Sequence, residues 1–157
     1  MTLRAGLIGL GMMGRHHARV LASLEGVELV AVADPAGDVH GVAGGRPCLD
    51  SVEALIEHGI DYAMVAVPTA YHEAAGLALA AAGVHAMIEK PLAPDVASAT
   101  RIAEAFESAG LVGAVGHIER FNPALQQARH RIAEGELGAV HRARRARGWR
   151  PRRPRRR

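Results

Sequence analysis

The sequence predicts an α/β fold, a doubly wound parallel sheet followed by only the start of a second domain. Short apolar runs alternate with helix-like segments from Leu3 to Val115. Parallel neighbours need crossovers, and right-handed crossovers leave helices on both faces of such a sheet. A hydrophobic share of 49% with only 3% aromatic residues describes a core of Ala, Val, Leu and Ile, which suits a parallel sheet covered by helices. The run Gly9-Leu10-Gly11-Met12-Met13-Gly14 sits directly after Leu7-Ile8 and opens a helix-like segment, and Asp34 closes the next apolar run twenty positions after Gly14.

Taken in order, Leu3 to Ile8 reads as the first strand, and a helix runs on to about Leu24 with Val20, Leu21 and Leu24 as its apolar stripe. Glu28 to Ala33 is the second strand, ended by Asp34-Pro35. Ala36 to Pro47 is rich in glycine and poor in periodicity, so it reads as a loop. Asp50-Ser51-Val52-Glu53 has capping-box spacing, with Asp50 in the cap position, and starts a short helix that stops near Gly59. Tyr62 to Val67 is a strongly apolar strand broken by Pro68-Thr69, and Thr69 is placed to cap an Ala-rich helix from Ala70 to Ala82. Val84 to Ile88 is the next strand, with Glu89-Lys90-Pro91 at its carboxyl end. Asp95 caps a helix to about Ser108, and Leu111 to Val115 forms the last strand of the sheet. Beyond Gly116 the character changes: Pro123 to Glu134 reads as a helix with Leu125 and Ile132 inward, turning at Gly135 to Gly138 towards a strand at Ala139-Val140. Residues 1–120 are thus expected to form a dinucleotide-binding domain, with 121–141 beginning a second one.

The glycine run supplies the chemistry. In a βαβ unit of this kind the first glycine permits a tight turn, the second lets a pyrophosphate approach the backbone, and the third lets helix and strand pack closely. The diphosphate meets free N–H groups at a helix N-terminus. Gly9, Gly11, Met12, Met13 and Gly14 are therefore candidate cofactor contacts. Asp34 is placed to accept hydrogen bonds from the adenosine ribose hydroxyls, its charge repels a 2′-phosphate, and no Arg or Lys lies within three residues after it. The pattern points to a Rossmann domain that takes NAD in preference to NADP.

In an open parallel sheet the ligand lies outside the carboxyl ends of the strands. Pro68, Thr69 and His72 stand at one such end, and Glu89 and Lys90 at the next. Lys90 is the only lysine of the chain. Its titratable ammonium can protonate or polarise a reacting oxygen, which arginine does poorly. It is the candidate catalytic residue. The other eight histidines, His16, His17, His40, His58, His85, His117, His130 and His141, show no metal-ligand spacing, so no metal is expected.

Charge is distributed unevenly. Ten of the nineteen basic residues lie in 142–157, which holds no acid, leaving nine bases against sixteen acids in the first 141 residues, net +10 against net −7. The tail is expected to be disordered, since like charges repel and no apolar surface offsets the ordering entropy. Its Arg, Pro, Gly and Ala content is that of GC-rich codons read out of frame. One cysteine, Cys48, excludes an internal disulfide and fits a reducing cytoplasm, and reads as a small buried or half-buried apolar residue. No apolar run reaches the roughly 18 residues of a membrane span, and no secretory cleavage pattern follows the N-terminus.

The chain resembles the N-terminal domain of the Gfo/Idh/MocA oxidoreductases. The matching pieces are Gly9 to Gly14 with His17 just beyond, Val30-Ala-Val-Ala-Asp34-Pro35, Pro68-Thr-Ala-Tyr-His72 and Glu89-Lys90-Pro91. They cover roughly residues 3 to 120. The resemblance implies that Lys90 lies near the nicotinamide and substrate, that Glu89 contributes to cofactor placement, and that His72 lies beside the cofactor. Gly116 to Pro123 looks like that family's crossing into its substrate domain and is closest in wording to members acting on UDP-N-acetylglucosamine and related nucleotide sugars. There Arg120 and Asn122 are candidate sugar or phosphate contacts, or polar groups that stabilise a turn. The family's aspartate and histidine substrate-domain motif has no counterpart in this sequence. The function implied is an NAD-dependent oxidoreductase domain for a sugar or nucleotide-sugar substrate. The alternatives are a non-catalytic nucleotide-binding module and, through the arginine-rich tail, a nucleic-acid binder. Oligomeric state is left open.

Overall fold

The computed structural model describes residues 2–141. The arginine-rich stretch 142–157 lies outside the described residues, and the expectation of disorder and the nucleic-acid reading lie outside with it. Of the described residues, those up to His117 form one compact unit, and those from Ile118 to His141 belong to another.

The first unit is a six-stranded, wholly parallel sheet. Its strands are β1 (Leu3–Ile8), β2 (Val27–Ala33), β3 (Cys48–Leu49), β4 (Tyr62–Val65), β5 (His85–Ile88) and β6 (Gly113–Val115). They are ordered β3-β2-β1-β4-β5-β6. Four helices complete it: α1 (Met12–Leu21), α2 (Val52–Glu57), α3 (His72–Ala81) and α4 (Val96–Ser108). The strands alternate faces at every residue. Leu7 and Val32 pack with Ala18 and Leu21 of α1, while Ile8, Val65 and Ile88 pack with Leu55, Leu79, Ile102 and Phe106 of α2, α3 and α4. The chain leaves β1 in one direction and β4 in the other. Between these two strands the order reverses, and ligands of doubly wound sheets bind at that point.

Several local expectations change. α1 ends at Leu21, and its buried residues are Gly14, Ala18 and Leu21, whereas Val20 and Leu24 are half exposed. A helix buries one face against its sheet, here Gly14, Ala18 and Leu21 at helical spacing, and Val20 falls outside that face while Leu24 lies beyond the end of the helix. β3 is a strand of two residues that the loop reading of its surroundings did not contain. It exists because Pro47 and Leu49 carbonyls accept the Val32 and Asp34 N–H groups. Cys48 is exposed at that sheet edge. Ser51, one residue after Asp50, caps α2 by accepting the Ala54 N–H. Thr69 opens a 3-10 turn over Thr69–Tyr71 instead of capping α3. Asp95 does cap α4, accepting the Ser98 N–H at 2.9 Å. No helix among the described residues is long and apolar enough to cross a membrane.

The second unit holds a 3-10 turn at Ile118–Phe121 and helix α5 (Pro123–Ala133). Asn122 caps α5 by accepting the Ala124 N–H, and Pro123 takes the first helical position, where its missing N–H costs nothing. Leu125 and Ile132 are half exposed, contrary to the inward stripe expected. A helical stripe is buried only against another element, and α5 is the one α-helix among the described residues of this unit. Ala139-Val140 is not a strand.

Candidate dinucleotide cleft

A cleft of about 780 Å³ opens at the carboxyl ends of β1, β2 and β4, within the roughly 300–1,000 Å³ range of small-molecule sites. Its shape follows from three glycines with different surroundings. Gly9 has φ of +92°, and a Cβ on it would come within 2.8 Å of the Ala66 carbonyl group and the Val67 nitrogen. Only glycine turns the chain there while passing β4 so closely. Gly14 lies against Gly9, whose carbonyl oxygen would be 2.0 Å from an added Cβ. That contact seats α1 on the strand it follows. Gly11 is the exception, since an added Cβ would meet nothing within 4 Å. Its small size therefore serves nothing inside the protein and leaves open space in the cleft.

Gly11 is also the N-cap of α1, and no side chain caps that terminus. The first turn of a helix leaves its N–H groups without internal partners, and together with the helix dipole they favour an anion. Met12 and Met13, which follow, line the cleft, and Met12 is 69% exposed. Asp34, half buried, lines the same cleft. Its Oδ2 accepts the Leu10 N–H at 2.8 Å and its Oδ1 the Ala36 N–H at 2.9 Å. The carboxylate thereby pins the glycine loop to the end of β2. A carboxylate has about four acceptor sites, so each oxygen keeps room for one more donor such as a sugar hydroxyl. These features fit a dinucleotide: a diphosphate at Gly11 and the α1 terminus, and a ribose at Asp34.

The other candidate residues divide. Pro68 lines the cleft together with Gly9, but Gly14, Thr69, His72, Glu89 and Lys90 do not. His72 is 1% exposed. Its Nε2 lies 3.0 Å from the Val67 carbonyl oxygen, and its Nδ1 lies 3.0 Å and 3.2 Å from those of Pro91 and Leu92. It fastens the end of β4 to the turn after β5. Lys90 is exposed at the end of β5, and the Lys90-Pro91 peptide is cis. Glu89 is buried, 7% exposed, and its Oε2 accepts the Lys90 N–H at 3.1 Å.

Three participants were not singled out in the sequence. Ser51 and Glu53, at the start of α2, and Tyr71 line the cleft. The position of Ser51 and Glu53 at the end of the edge strand is a signal in the sequence once β3 is recognised. His17, which stands just beyond the glycine run, places its Nε2 2.8 Å from Glu89 Oε1, a contact that no spacing in the sequence indicates.

Residues 3–117 match the Gfo/Idh/MocA family, an oxidoreductase family with an NAD-binding Rossmann fold. The chain is 34% identical over 140 residues to 4-carboxy-2-hydroxymuconate-6-semialdehyde dehydrogenase of Sphingobium sp., covering 86% of this chain and 44% of that protein. It is 35% identical over 130 residues to UDP-N-acetylglucosamine 3-dehydrogenase of Acidithiobacillus ferrooxidans, covering 81% and 41%. Among solved structures it resembles the WlbA dehydrogenase of Bordetella pertussis in complex with NADH and UDP-GlcNAcA, with a TM-score of 0.81 and 28% identity over 88% of this chain and 44% of that one. The chain thus spans less than half the length of these relatives.

Proposed function

The chain belongs to the Gfo/Idh/MocA oxidoreductase family, and from that premise we propose that it binds NAD in the cleft for hydride transfer to or from a sugar or nucleotide-sugar substrate. One observation carries the reading: Gly11 opens on empty space at an uncapped helix terminus while Asp34 faces the same cleft with acceptor capacity to spare. NAD, when bound, supplies the hydride chemistry. The protein supplies orientation and electrostatics. Gly11 and the N–H groups of Met12 and Met13 hold the diphosphate, Gly9 and Gly14 shape the loop, and Asp34 selects the unphosphorylated ribose. Pro68 closes the side formed by β4, with Thr69 next to it in the chain and His72 holding the Val67 carbonyl just before it. Lys90 is the proton donor or acceptor for the reacting hydroxyl, with Glu89 fixing its backbone. Its exposure suits contact with a substrate that the cleft itself does not enclose. We take residues 1–120 as the cofactor domain and 121–141 as the beginning of the substrate domain. The free Cys48 and a nicotinamide cofactor suit a cytoplasmic setting.

The sugar class is supported by the relatives' names, one of which acts on UDP-N-acetylglucosamine, and by the hydroxyl chemistry open to Lys90. A second reading, a nucleotide-binding module without catalysis, is favoured by the position of Lys90 outside the cleft lining. Calorimetry with NADH and NADPH tests the shared premise: NADH is expected to bind at least about tenfold more tightly, a difference of 1.4 kcal/mol. Equal affinities, or no binding, contradict it. Hydride transfer with a panel of sugars and UDP-sugars, abolished in Lys90→Met while NADH still binds, separates the enzyme from the module.

A further inference from the structure

The turn that carries Lys90 is held by a carboxylate that is itself held by a residue of α1. Glu89 is buried, and a carboxylate taken out of water is costly unless its oxygens find donors. Its Oε2 accepts the Lys90 N–H. Its Oε1 is 2.8 Å from His17 Nε2, and the two side chains are only 9% and 12% exposed. Gly116 closes the remaining side, where an added Cβ would come within 3.3 Å of the carboxyl carbon and both oxygens. The carboxylate therefore has one orientation, and the His17 N–H sets it.

His17 lies in the second turn of α1, the helix whose N-terminus faces the cleft. It is separated from Glu89 by 72 positions, so the bond is a tertiary link between two parts of one site. We propose that His17 is a positioning residue for Lys90: by donating to Glu89 it fixes the group that fixes the Lys90 main chain, and so couples α1 to the lysine-bearing turn. This rests on the reading of α1 as the diphosphate helix and of Lys90 as the proton-handling residue. Hydrogen bonds to an ionised carboxylate are stronger than neutral ones, and removal of one member of a buried pair strands the other. Loss of the imidazole leaves Glu89 Oε1 without its donor and frees the turn from the helix. A ligand that settles on α1 is then no longer sensed at Lys90.

Lys90 is the single lysine, so lysine labelled with ¹³C at Cε yields one side-chain resonance from the full chain. ADP-ribose is the probe, because it carries the adenosine and diphosphate but no nicotinamide to touch Lys90. In the native chain its addition is expected to move the resonance. In His17→Leu it is expected to bind within about twofold of the native affinity without moving the resonance, and His17→Gln, whose amide N–H reaches the same carboxylate, is expected to restore the movement. A shift retained in His17→Leu, no shift in the native chain despite binding, or no rescue by His17→Gln overturns the proposal. Should His17→Leu not fold, Gly116→Ala crowds the same carboxylate with His17 in place; there too the shift is expected to vanish, and its persistence is contrary. Absence of ADP-ribose binding to the native chain instead refutes the reading of α1, and the coupling with it.

Discussion

Replacing Gly11 and Gly14 separately with alanine separates binding from folding within a single motif. At Gly11 the backbone is extended, with φ of −68° and ψ of −161°, a conformation alanine adopts freely, and its Cβ meets nothing within 4 Å. Gly11→Ala is therefore expected to hold or raise stability, by up to about 0.4–1 kcal/mol from the stiffer unfolded chain. At Gly14 the Cβ would stand 2.0 Å from the Gly9 carbonyl oxygen, a full ångström inside the 3.0 Å that real Cβ atoms essentially never breach. That oxygen is backbone and cannot rotate aside. Forcing such an overlap costs about 1–3 kcal/mol or more, and at about 2–4 °C per kcal/mol for a chain of this size the melting temperature of Gly14→Ala is expected to fall by several degrees. NADH affinity behaves differently. The methyl of Gly11→Ala occupies the space assigned to the diphosphate, and a loss of at least about tenfold, 1.4 kcal/mol, is expected with no fall in melting temperature. Thermal melts and NADH calorimetry on the two variants decide the matter. NADH affinity unchanged in Gly11→Ala refutes the placement of the diphosphate, and a native melting temperature in Gly14→Ala refutes the packing argument.

Asp34→Ala removes the acceptor for the Leu10 and Ala36 N–H groups, so calorimetry should show weaker NADH binding and a narrower gap to NADPH, accompanied by a stability loss of about 1–3 kcal/mol. Unchanged discrimination between the two cofactors counts against the ribose assignment. His72→Phe keeps the bulk but removes the ring nitrogens that meet the part-buried carbonyls of Val67, Pro91 and Leu92; a loss of roughly 1–3 kcal/mol for the missing imidazole N–H donor is expected in chemical denaturation, and native stability is the contrary result. The Ser98 backbone N–H holds the Asp95 carboxyl below its ordinary value, and the Arg101 hydrogen bond does the same for Glu73. A lowered folded-state value adds stability above the ordinary carboxylate range and loses it as the pH falls through the folded value. The melting temperature is therefore expected to drop below about pH 4, less steeply in Asp95→Ala, and equal slopes contradict the capping role.

Much of the fold was legible because its signals are local. The first strand, Leu3 to Ile8, coincides with β1, and Asp95 caps α4 as its spacing indicates, since a cap is decided by the residue and the three N–H groups after it. Where two neighbouring residues both qualify as a cap, as with Asp50 and Ser51, local chemistry does not choose between them, and the packing of α2 does. The two residues of β3 carry no pattern of their own and become a strand only when β2 offers its edge. Val20 and Leu24 share an apolar spacing with Leu21, but α1 ends at Leu21 and its inward face is Gly14, Ala18 and Leu21, which leaves the other two exposed. The site divides along the same line. The glycine run is a contiguous motif with a geometric meaning for each position, and Asp34 follows it at a fixed distance. The bond from His17 to Glu89 joins residues with no shared local pattern, and the use of Asp34 as fastener of the glycine loop depends on where the Leu10 N–H points.

The most direct measurement is a crystal structure of the chain grown with NADH. Diphosphate density within hydrogen-bonding distance of the Gly11, Met12 and Met13 N–H groups, with the adenosine ribose hydroxyls on the Asp34 carboxylate, is the expected result. A dinucleotide bound elsewhere on the sheet, or one whose ribose turns away from Asp34, contradicts the account.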